Sequence, residues 1–101
     1  MQQPGGWSTT KPATPEIQEL CGMIRKPLEK KYRKFTKYVA TEYRQQVVAG
    51  MNYLVKIEVD NGEYVHVEIF KPLPPVNKLR FDGYEPNHKK DDPLIPFDRQ
   101  V

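Results

Sequence analysis

The chain has 101 residues, with 16 Lys and Arg against 13 Asp and Glu, a formal net charge of +3, ten prolines and a single cysteine. That length holds one domain, which buries about two-thirds of its unfolded surface. The lone Cys21 excludes an intrachain disulfide, no apolar run approaches the roughly 18 residues a membrane span needs, and the small charge excess argues against binding to nucleic acid by charge alone.

Residues 1–13 are rich in Gly, Pro, Ser and Thr, with one large apolar side chain at Trp7. They read as an extended arm, its first eight residues a flexible trunk. Met1 to Trp7 has neither a basic stretch nor an apolar one, so no secretory signal is expected, and a thiol-reduced cytoplasmic location is. A helix start follows. Thr14 suits the N-cap, Pro15 the first helical position, and Glu16 and Glu19 complement the helix dipole.

Ile17, Leu20, Ile24 and Leu28 then recur at spacings of three and four, with Tyr32 and Phe35 in phase. The spacing predicts one amphipathic helix, its basic far end matching the dipole. Pro27 interrupts it, because proline lacks the N–H that would bond residue 23. A kink near residue 26 within one helix is therefore expected.

From Tyr38 the period changes to two. Residues 38–48, 53–59 and 64–70 alternate as half-buried strands. Asn61-Gly62 lies between the last two, a strong hairpin signal. Leu79, Phe81 and Gly83-Tyr84 read as a final short strand, and residues 85–101, with three prolines, as a surface tail. The connections are too short for parallel crossovers, so four antiparallel strands are expected, packed through one face on the helix with the other face wet.

No catalytic or metal pattern stands out. Cys21 could serve as a nucleophile with His66 or His88 as base, but its place beside the apolar stripe reads as a small buried residue. Two histidines and one cysteine at these spacings do not form a metal motif, and Asp91-Asp92 reads as a solvated turn. No phosphate-binding loop is present. Neither enzyme activity, nor a cofactor, nor a metal is expected.

Two loops are unusual. Gln46-Val47-Val48-Ala49-Gly50 places β-branched apolar residues at a hairpin tip, where polar residues are the rule. Lys71-Pro72-Leu73-Pro74-Pro75-Val76-Asn77 is a second apolar, proline-stiffened connection. Each alone is compatible with an ordinary turn. In an antiparallel meander alternate turns share an end of the sheet, so these two lie side by side and Asn61-Gly62 points the other way.

Gln46 to Gly50 followed by Met51-Asn52-Tyr53 resembles the Q-V-V-A-G-x-N-Y signature of the cystatin superfamily. Pro4-Gly5-Gly6, the run Lys11 to Gln18, Val65-His66-Val67 and Phe70-Lys71-x-Leu73-Pro74 are similar to the stefins, the type 1 cystatins, and the likeness extends from residue 4 to about 92. The resemblance implies an α+β cystatin fold: one long helix packed against a twisted antiparallel sheet of four to five strands, with the arm adding a strand. It implies reversible, tight inhibition of papain-like cysteine proteases, the cathepsins among them. The protease-binding residues it implies are Gly5 and Gly6 in the trunk, Gln46, Val47, Val48, Ala49 and Gly50 in the first loop, and Leu73 and Pro74 in the second. A non-inhibitory cystatin-fold module is the alternative reading. No nucleic acid or membrane partner is expected. The expected state is a monomer, for which exchange of the exposed hairpin offers a route to a domain-swapped dimer. Trp7, Pro75 and the long tail depart from the stefin pattern and bear on selectivity.

Overall fold

Thr14 starts the helical region as its position predicts: its hydroxyl accepts the Ile17 N–H at 3.2 Å, and Pro15 occupies the first turn. The computed structural model describes residues 6–97. Two helices replace the expected continuous one, α1 over Pro15–Met23 and α2 over Arg25–Lys31. Ile24 leaves helical geometry between them, with φ −103° and ψ 7°. The break falls two residues before the expected kink, and Pro27 explains it. Restarting at Arg25 puts Pro27 in the first turn of a new helix, where backbone N–H groups need no intrahelical acceptor. The apolar stripe survives, because Ile17, Leu20, Cys21, Ile24 and Leu28 are all buried. Phe35 is buried too, but it lies beyond the end of α2.

The sheet has five antiparallel strands in sequential order. These are β1 (Lys11–Pro12), β2 (Tyr38–Val48), β3 (Gly50–Val59), β4 (Tyr64–Lys71) and β5 (Arg80–His88). Alternation locates β2 correctly at both ends. The arm contributes β1, as the stefin resemblance implies, with Lys11 opposite Tyr43. Where β1 stops short, the Gln18 side chain stands in for a strand, accepting the Ala40 N–H and donating to the Tyr38 carbonyl. One face of the sheet packs Tyr53, Val55, Ile57, Val65, Val67 and Ile69 against the helical stripe.

β5 is longer than expected and takes in residues 85–88, Pro86 included. It is an edge strand, where a missing N–H is tolerated. The second face is not wet either. Leu54, Lys56, His66 and Glu68 on that face are buried beneath the tail, whose Leu94 is itself buried. Lys56 Nζ donates to Glu42 at 3.1 Å and to the Lys90 carbonyl at 2.6 Å. The Phe97 N–H donates to Glu68 at 2.8 Å. The Arg44 guanidinium donates to the Leu94 carbonyl at 2.7 Å and to the Ser8 carbonyl at 2.8 Å, joining tail and arm to β2. Buried polar groups need such partners.

At one end of the sheet the β3–β4 connection is a short helical turn over Asp60–Gly62, with Asn61 at φ 62° and Gly62 at φ 74°. Asp60 accepts the backbone N–H groups of Thr36 and Lys37, and Glu63 accepts from the Tyr32 hydroxyl and the Asn87 N–H. Arg33 pairs with both carboxylates. Hydrogen bonds to the charged form hold Asp60 below the usual carboxylate range.

Candidate functional site

The opposite end of the sheet gathers the apolar loops. Val48 pairs with Gly50 in the β2–β3 ladder, which leaves Ala49 alone at the tip. Val47 and Val48 are 58% and 39% exposed. Met51 lies opposite Lys71, so the β4–β5 loop leaves the sheet beside this tip. Leu73 and Val76 on that loop are exposed as well, at 58% and 57%. The Pro74-Pro75 bond between them is cis. Four large apolar side chains thus face solvent at one end of the sheet, the arrangement that marks a binding surface.

Gly50 shows why the tip needs glycine. Its φ is +123°, and a Cβ there would stand 2.6 Å from the Lys71 carbonyl oxygen and 2.9 Å from the Phe70 ring. Backbone strain and close approach both require glycine at this position. The bases of the two loops, Gly50 at the start of β3 and Lys71 at the end of β4, are therefore closely packed.

The arm reaches the same end. Trp7 bridges Gln46, and the Ser8 N–H donates to the Gln45 carbonyl at 2.8 Å. The Gln45 N–H in turn donates to the Ser8 hydroxyl at 3.0 Å. The arm runs antiparallel to β2 from Trp7 to Pro12, with Trp7 opposite Gln46 toward the Val48 end. Gly6 is described and half-buried; Gly5 lies outside the described residues. Gln46 also accepts from the Asn52 amide at 2.8 Å, which ties the base of the hairpin across its strands.

Of the residues predicted from sequence, the structure brings Gln46, Val47, Val48, Ala49, Gly50, Leu73 and Pro74 to one end, with Gly6 beside the arm's anchor. The role of Trp7 in that anchor was not apparent from sequence; its signal was being the one large apolar residue in the arm. Cys21 is buried, and burial pushes its thiol up to about 12, so no thiolate is available for nucleophilic chemistry. His66 and His88, unconnected in the sequence reading, stack face to face with ring centroids 3.7 Å apart. Among the described residues no helix is long and apolar enough to cross a membrane.

The fold and this three-part edge define a cystatin-type domain, and comparison with known proteins agrees. The family model for the cystatin domain matches residues 5–91. The chain is 47% identical to cystatin-A1 of Sus scrofa over 96 residues, covering 93% of each chain. It is 42% identical to stefin-C of Bos taurus, covering 92% of this chain and 94% of that one. It is 43% identical to leukocyte cysteine proteinase inhibitor 1 of Sus scrofa, covering 92% of each. The chain belongs to the cystatin family.

Proposed function

We propose that this cystatin is a reversible, tight-binding inhibitor of papain-like cysteine proteases of the cathepsin type. It acts by filling the active-site cleft with the trunk around Gly5 and Gly6, the Gln46–Gly50 loop and the Leu73-Pro74 loop. The observation that carries the reading is the exposure of Val47, Val48, Leu73 and Val76 on two loops with closely packed bases, at the end where Trp7 of the arm bridges Gln46. Apolar surface transferred from water into a cleft contributes about 25 cal/mol per Å². Loops held by Gly50 and the prolines lose little entropy on docking. An interface of roughly 1,600 Å² in total is sufficient for tight binding. A glycine trunk lets backbone pass close to the protease sulfur. A plug that presents no scissile carbonyl in attack geometry survives in the cleft.

The protein works as an inhibitor rather than an enzyme, as a monomer in the cytoplasm, and exchange of the first hairpin gives it a route to a domain-swapped dimer. The test is titration of papain. Peptidase activity is expected to vanish near one equivalent of the full chain and to return in part with Gly5→Arg. Full papain activity at equimolar ratio would instead identify a non-inhibitory module on the same fold.

A further inference from the structure

On the tail-covered face, toward the Asp60–Gly62 end, His66 of β4 is fully buried, and among the described residues neither of its ring nitrogens has a hydrogen-bond partner. Buried polar atoms are rarely left so. Its ring lies against that of His88, the planes 5° apart. The His88 Nδ1 meets Asp92 at 2.8 Å and its Nε2 meets Glu85 at 3.0 Å. One ligand atom each from His66, Glu85 and His88 fall within 4.8 Å of one another.

We propose that His66, His88 and Glu85 bind a divalent transition-metal ion of the zinc class. Two imidazole nitrogens and one carboxylate are the donor set such ions take, whereas calcium and magnesium prefer oxygen alone. Ligands on a tetrahedral zinc, each about 2.0–2.1 Å from it, stand about 3.4 Å apart. The His88–Glu85 pair already has close to that spacing. Asp92 accepts from the other His88 nitrogen, the contact by which a carboxylate commonly orients a ligating histidine. Parallel rings cannot both aim their lone pairs at one ion, so binding turns one ring out of the stack and replaces the direct His88–Glu85 contact by bonds to the ion. His88, whose side chain is 24% exposed, is the ring with room to do so.

The local charge also suits a cation. Lys56 approaches from β3, but its ammonium is held by Glu42 and the Lys90 carbonyl, and Glu85 and Asp92 supply two negative charges. The ion would tie β4 to β5 near the tail turn, at the end away from the apolar loops.

Titration of the full chain with zinc chloride at neutral pH, followed by calorimetry and by thermal melting, tests this. One equivalent is expected to bind and to raise the melting temperature. His88→Gln and Glu85→Gln, both at partly exposed positions, are expected to abolish both effects while papain titration is unchanged. Asp92→Asn should weaken binding about tenfold. Absence of binding to the parent chain in zinc excess, or variants that bind zinc as tightly as the parent, would overturn the assignment. Because papain inhibition is read separately, failure here leaves the inhibitory reading intact.

Discussion

The two ends of the sheet are built on opposite rules. At the Asp60–Gly62 end the charged and backbone groups interlock: Asp60 and Glu63 gather donors from the segment between α2 and β2 and from β5. At the other end Val47, Val48, Leu73 and Val76 leave apolar surface in water. A polar end with its groups satisfied gains nothing further from a partner and serves stability. An apolar end held rigid keeps its unrealised hydrophobic free energy for binding. Departure from the usual rule for loop tips is thus what marks the end proposed to bind the protease.

Four substitutions sharpen or break that contrast. Gly50→Val should act hardest, because it adds strain at φ +123° and a clash with Lys71. It is expected to cost about 2–4 kcal/mol of stability and to weaken papain inhibition about 100-fold. Calorimetric melting and inhibition assays check both, and an unchanged melting point would contradict the close packing of Gly50 against Lys71. Val48→Asp should weaken inhibition by about 30-fold, chiefly through faster dissociation, with melting unaltered; stopped-flow kinetics separates the rates. Leu73→Ala removes less surface, and roughly a tenfold loss of affinity is expected from the same assay. Asp60→Ala should have no effect on inhibition and lower the melting temperature alone.

Asp60 also sets a pH dependence. Its folded pKa lies below the ordinary 3.8, so its contribution is present above that value and is lost as pH falls through the lower folded one. Melting curves of the parent chain and Asp60→Ala should therefore converge in strong acid. Curves that stay parallel through that range would remove Asp60 from the account.

Local patterns carried much of the fold. The period of two delimited β2, and the Thr14-Pro15 pair located the start of α1. The loops at 46–50 and 71–77 were visible as apolar residues where polar ones belong. What remained hidden depended on distant contacts. Lys56, His66 and Glu68 alternate as if toward solvent, and only the tail, some 30 residues further on, buries them. Pro27 signalled a disturbance, but a restart at Arg25 absorbs it more cheaply than a kink. Pro86 looked like the end of β structure, although an edge strand accommodates it. The crowding at Gly50 depends on where Lys71 stands, which no local pattern encodes.

Arg44 holds the Ser8 and Leu94 carbonyls with one guanidinium, so arm and tail meet at one side chain. Carboxypeptidase trimming or a bulky C-terminal fusion that dislodged Leu94 would free one arm of that guanidinium and leave the arm to its Ser8–Gln45 hydrogen bonds and the Trp7–Gln46 bridge.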